Sequence, residues 1–166
     1  MRRSGVLAAI ILLSFLLLGS PAWPQERSGQ TPLIVGTWKL NLEKSTVRVP
    51  PGAMEIRQYS VRPDGFLVGL LITSNAGNYH YLQFVAKSDA QDYPEYSDQI
   101  VGDLVAAGKP TRRTYAEKAI DEYVTEWIDK VDGRITAQGR KIVSKDRQTL
   151  TITVDGSSQV RIYDRQ

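Results

Sequence analysis

From Leu33 onward, apolar and polar residues alternate with a period of two, and glycine, asparagine and aspartate interrupt the alternation at short intervals. The pattern predicts β-hairpins, in which successive side chains point to opposite faces and the turns use residues that tolerate positive φ. Residues 33–42 and 54–62 are the first two candidate strands, and Asp64-Gly65 sends the chain back through 66–73. Asn75-Ala76-Gly77-Asn78 repeats that device ahead of 79–86, where Tyr79, Tyr81 and Gln83 share one face and His80, Leu82 and Phe84 the other. Residues 122–131 and 134–144 flank Asp132-Gly133 as a further hairpin. In 149–154, Leu150, Ile152 and Val154 alternate with three threonines, and in 159–164 Val160 and Ile162 oppose Arg161 and Tyr163.

Residues 88–110 break the pattern, with Asp89, Asp92, Glu95 and Asp98 spaced three apart ahead of Ile100, Val101, Leu104 and Val105. One short helix over 97–107 fits, capped by Asp98 and ended by Gly108 and Pro110, although Gly102 inside it costs about 1 kcal/mol against alanine. An extended excursion between hairpins is the alternative. With about eight to ten short strands and no alternating helices, the chain reads as all-β, and closure into an antiparallel up-and-down barrel removes the exposed edges an open sheet would keep.

Ahead of this domain, Arg2 and Arg3 precede an apolar run from Val6 to Leu18 and the small residues Gly19, Ser20 and Ala22. The arrangement predicts a signal peptide over 1–22, a flexible polar lead over 23–32 and a barrel domain over 33–166. The run is shorter than the ~20 residues a spanning helix needs, so no membrane anchor is expected once the signal is removed. An exported protein, periplasmic or extracellular, follows. The chain has no cysteine, so disulfides contribute nothing to its stability, and a domain of roughly 140 residues buries about two thirds of its unfolded surface without them.

The formal charge of +3 falls to +1 without the two signal arginines, which argues against a nucleic-acid partner. His80 is the only histidine, and with no cysteine beside it neither a zinc site nor a nucleophilic triad can be assembled. The acidic series 89–98 lacks the glycine and spacing of a calcium loop and reads as a solvated loop. Glu122 and Glu126 read as outward strand residues rather than an acid–base pair. No cofactor, metal or catalytic residue is predicted.

Gly36-Thr37-Trp38 at the head of the first strand resembles the G-x-W element of lipocalins and fatty-acid-binding proteins. The closing Val160-Arg161-Ile162-Tyr163-Asp164-Arg165 resembles the last strand of fatty-acid-binding proteins, in which an R-x-Y pair reaches a ligand carboxylate. Those resemblances imply a lipocalin-like barrel, with Gly36 and Trp38 as a structural plug and Arg161 and Tyr163 at the polar head of a ligand. The chain departs from fatty-acid-binding proteins after the first strand, where the stiff turn Val49-Pro50-Pro51-Gly52 leaves no room for a lid of two helices. It also resembles a group of uncharacterised secreted bacterial proteins through Trp38-Lys39-Leu40-Asn41, Lys44-Ser45, Ser144-Lys145-Asp146 and Thr151-Ile152-Thr153.

Tyr81 and Trp127, with Tyr59, Tyr79 and Tyr123, are candidates to line a cavity with amphipathic rings, although sheets favour such residues in any case. An arginine of the last strand stacked over Trp38 is the structural alternative for Arg161. The reading is a binding protein for a small, partly apolar, anionic or amphipathic ligand. The alternative is a filled barrel that meets an envelope protein partner through its loops, residues 89–108 first among them.

Overall fold

The computed structural model describes residues 31–98 and 113–166. The predicted signal peptide and its cleavage site lie outside the described residues, as does the candidate helix beyond Asp98.

The described residues form ten strands: β1 (Gly36–Leu40), β2 (Met54–Val61), β3 (Leu67–Asn75), β4 (Asn78–Ala86), β5 (Tyr93–Ser97), β6 (Arg113–Ala119), β7 (Val124–Val131), β8 (Arg134–Val143), β9 (Thr149–Val154) and β10 (Val160–Arg165). Each pairs antiparallel with its neighbours in sequence, and β1 closes on β10. The fold is the all-β, up-and-down closed barrel that the alternation predicts, and it is consistent with the lipocalin-like barrel that the motif resemblance implies.

The hairpin turns follow the expected chemistry. Ala76 and Gly77 in the β3–β4 turn, and Asp132 and Gly133 in the β7–β8 turn, all take positive φ, matching the twist of the strands they join. β5 is a strand the sequence does not announce, since Tyr93–Ser97 falls in the acidic stretch that reads as loop. Pro94 lies within it and cannot donate to a ladder, and β5 pairs with β6 over only two residue positions.

One end of the barrel is closed by the two ends of the domain. Trp38 is fully buried and donates its indole N–H to the Ile34 carbonyl at 2.8 Å. The Arg165 guanidinium lies 4.1 Å from the Trp38 ring centroid and donates to the carbonyls of Val35 at 2.9 Å and Leu33 at 2.8 Å. Arg165 therefore has the stacking role considered for Arg161. It lies opposite Trp38 in the β1–β10 register, whereas Arg161 lies four residues earlier, near the start of β10. Gly36 is required by both its φ of +139° and the guanidinium, because a Cβ there would stand 2.5 Å from an Arg165 nitrogen.

The motifs after β1 extend this closure. Asn41 Nδ2 and Lys44 Nζ reach the Asp164 carboxylate at 2.6 and 2.8 Å. Hydrogen bonds from Asn41 and then Lys44 hold that carboxyl below its usual pKa. Ser45 Oγ donates to the Asn41 carbonyl and accepts from the Ile162 N–H at 2.9 Å, and Thr46 Oγ1 accepts from the Val160 N–H at 2.7 Å. Ser45 and Thr46 thus extend the β1–β10 seam with side-chain bonds beside the backbone bonds from Asn41 to Ile162 and from Thr46 to Val160. Ser144 Oγ, bonded to Asp146, likewise accepts from the Thr149 N–H at 2.9 Å and fixes the β8–β9 turn.

Truncating Trp38 removes a buried ring and the surface Arg165 stacks on. Trp38→Ala is expected to cost about 3–5 kcal/mol in urea unfolding, and Arg165→Ala a smaller part of the same loss. Additive losses in the double variant would show that the two residues do not act as one closure.

Candidate functional site

Strand alternation and burial fix which side chains face the interior. Trp38 from β1, Glu55, Arg57 and Tyr59 from β2, Phe84 from β4, Glu95 from β5, and Tyr115 and Glu117 from β6 point inward. Trp127 from β7, Lys141 from β8, Leu150 and Ile152 from β9, and Tyr163 from β10 complete the wall. Several strands invert the usual pattern. On β8, Lys141 is 2% exposed while its neighbour Ile142 is 36% exposed.

The charged groups gather into three sets. In the first, the Tyr163 hydroxyl donates to Glu55 Oε1 and accepts from Arg57 Nε at 2.8 Å. Arg57 also lies 3.3 Å from Glu55 Oε1, and Arg161 Nε 3.5 Å from Oε2. Burial pushes the Tyr163 phenol well above its usual pKa, and Glu55 adds to the shift. In the second set, Lys141 Nζ donates to the Tyr115 hydroxyl and to Glu117 Oε2, the latter at 3.1 Å, while Ser88 Oγ donates to Glu117 Oε1 at 2.7 Å. Burial alone would raise the Glu117 pKa, but Lys141 and the Ser88 and Tyr115 hydroxyls outweigh it and hold the carboxyl below the usual value. The ammonium also lies 4.8–5.1 Å from the ring centroids of Tyr115, Phe84 and Tyr59.

The third set is Glu95, Arg113 and Asp129. Arg113 donates its Nε to Glu95 Oε2 at 2.8 Å. Burial, and after it the repulsion of Asp129, push Glu95 up to about 7 despite that guanidinium. Burial raises Asp129 as well. Asp129 sits at a β-bulge, where the register between β7 and β8 shifts.

Apolar surface completes the interior. Phe84 stacks on Tyr115 with centroids 3.8 Å apart and lies across Gly69, where a Cβ would meet the ring at 2.3 Å. Two polar atoms here are buried without a hydrogen-bond partner among the described residues, the Tyr59 hydroxyl and Trp127 Nε1.

Arg161 and Tyr163 share the inward face of β10, as an R-x-Y spacing requires, and both meet Glu55. Trp127 joins the interior. Tyr81 does not: alternation places Leu82 and Phe84 inside and leaves Tyr81 44% exposed on the outer face, beside the similarly exposed Tyr79. Gly36 and Trp38 stand at the closed end. The acidic series divides among separate partners, Asp89 with Tyr93, Asp92 with Lys130, Glu95 with Arg113 and Asp98 with His80. Glu95, at 1% exposure, is therefore a buried wall residue and not part of a solvated loop. Glu126 faces outward against Arg140.

Glu55, Arg57, Glu117 and Lys141 were not legible as site residues, because a charge in an alternating strand ordinarily marks the solvent face. The available clue was the company they keep: Glu55, Arg57 and Tyr59 stand on one face of β2 and leave Ile56 to the other.

No protein-family model and no curated protein matches the chain. Among solved structures, two variants of the fluorescent protein UnaG are similar to it. One has a TM-score of 0.52 and 13% identity over 81% of this chain and 96% of that chain. The other has a TM-score of 0.50 and 13% identity over 80% and 95%. The likeness is one of fold, a closed antiparallel barrel.

A Glu95 pKa raised to about 7 means that the folded state holds its proton more tightly than the unfolded chain, whose carboxyl titrates near 4.5. The stability tied to that proton is absent above about 7, grows as pH falls and is complete below 4.5. Asp129 acts in the same direction, and Glu117 opposes both only at lower pH. Unfolding free energy is therefore expected to rise on mild acidification by on the order of 3 kcal/mol, and Glu95→Gln to flatten that rise. A stability that falls from neutral pH toward 5 would contradict the assignment.

Proposed function

We propose that the barrel is a binding protein that takes a small, partly apolar ligand into its interior by reversible burial, without a chemical step. The observation that carries this reading is the pair of buried, unpartnered polar atoms on the inner wall, the Tyr59 hydroxyl and Trp127 Nε1. Leaving such groups unpaired costs about 1–3 kcal/mol each, a cost a ligand with suitable acceptors removes. Phe84, Leu67 and Ile152 belong to the same buried core and would supply the apolar part of the contact. The similarity of this barrel to the UnaG fold supports an interior binding role at the level of fold. The signal-like leader adds that binding takes place after export.

A filled barrel that works through its outer surface is the second reading. It is favoured by the mutual neutralisation of Lys141 and Glu117 and by the inward Leu150 and Ile152, which occupy interior space.

Native mass spectrometry of the protein recovered from its own cells separates the two readings. The binding reading expects a reproducible added mass, and a bare folded protein favours the filled barrel. Tyr59→Phe sharpens the comparison. Deleting an unpaired buried hydroxyl is expected to leave stability unchanged or raise it by about 1 kcal/mol while weakening retention of the added mass. A variant that loses stability and retains the mass unchanged would give Tyr59 a structural role instead.

A further inference from the structure

Glu55 is held in a way that the other interior carboxylates are not. Arg57 and Arg161 approach its two oxygens at 3.3 and 3.5 Å, and the Tyr163 hydroxyl donates to one of them. Arg57 also donates to Tyr163 at 2.8 Å, which orients the phenol toward the carboxylate. Among the described residues, Glu117 has a single cation partner in Lys141, and it is satisfied further by neutral hydroxyls. Two guanidinium groups and a phenol converge on one carboxylate, Arg57 and Tyr163 through hydrogen bonds and Arg161 through an ion-pair contact, which is the arrangement of a carboxylate-recognition seat. Here the occupant belongs to the chain. Tyr163 is fully buried and Glu55 is 8% exposed, so the seat lies inside the closed sheet.

We propose that Glu55 is a resident mimic of a ligand carboxylate, and that by filling the seat formed by Arg57, Arg161 and Tyr163 it directs the barrel toward ligands with neutral head groups. A carboxylate entering beside Glu55 would meet a like charge at low dielectric and find its donors already engaged. A neutral ligand meets neither obstacle. The head-group preference rests on the interior-binding reading, whereas the seat itself does not. It replaces the sequence-based expectation that Arg161 and Tyr163 receive an anionic head.

Acetate is the fragment that Glu55→Ala deletes, so it is the probe. Thermal unfolding of the wild type and Glu55→Ala is measured in acetate, in chloride at equal ionic strength and in acetamide. The variant is expected to melt below the wild type and to be stabilised saturably by acetate alone, with no such response in the wild type. Equal responses to acetate and chloride would overturn the seat. Should Glu55→Ala not fold in chloride, recovery on refolding in acetate supports the seat. Failure to recover there counts against it.

Glu55→Gln keeps the side chain's shape and tests the preference independently, with cis-parinaric acid and its methyl ester as fluorescent probes. The wild type is expected to favour the ester, and the variant to shift the acid-to-ester affinity ratio toward the acid by about tenfold. An unchanged ratio overturns the preference. Ester binding without acetate rescue would keep the binding reading and remove the seat, whereas acetate rescue without ester binding would do the reverse.

Discussion

A charge on the inner face of a closed sheet is costly to bury unless it is paired, so the cations inside this barrel are met by acceptors on the same inner wall. Lys141 is met by Glu117 and Tyr115, and Arg57 by Glu55 and Tyr163. These pairings tie β6 to β8 and β2 to β10 across the interior, beyond what the backbone ladder provides. They also set the polarity of the interior, in which aromatic rings surround the Lys141 ammonium and hydroxyls complete the carboxylates. Removing one partner would leave the other buried and uncompensated, so the network makes the wall specific as well as polar.

The closed end follows a different rule. There Trp38, Arg165 and Gly36 are mutually dependent: the ring needs the Ile34 carbonyl for its N–H, the guanidinium needs the ring and two backbone carbonyls, and the glycine leaves room for the guanidinium. Because Arg165 comes from β10 and Trp38 from β1, the stack spans the seam at which the barrel closes. Arg165 is spent on this closure, which leaves Arg161 as the arginine of β10 that faces Glu55.

Strand positions were legible because turns such as Asp64-Gly65 and Asp132-Gly133 declare themselves through residues that accept positive φ. The burial of Trp38 was legible beside Gly36. The polar wall was not. Alternation shows that Lys141 and Ile142 face opposite ways, but hydropathy assigns the isoleucine to the core, and the structure does the reverse. Tyr81 was misplaced for a related reason, since an aromatic ring marks a strand without marking its side. β5 was missed because Asp92, Glu95 and Asp98 look solvated, whereas the guanidinium of Arg113, supplied by β6, helps make burial of Glu95 tolerable. In each case the deciding information is the cross-strand register, which brings together residues far apart in sequence.

The central claim is that the inner wall meets a ligand, and Trp127 Nε1 reports on it most directly because it is a buried donor without a partner among the described residues. Its indole resonance in a ¹⁵N–¹H correlation spectrum, followed as a metabolite and lipid extract of the producing cell is added, is the measurement to make. The account predicts that the Trp127 signal moves downfield as its N–H gains an acceptor, while the Trp38 signal, already bonded to the Ile34 carbonyl, stays in place. A folded protein whose Trp127 signal does not respond to any fraction of the extract would contradict it.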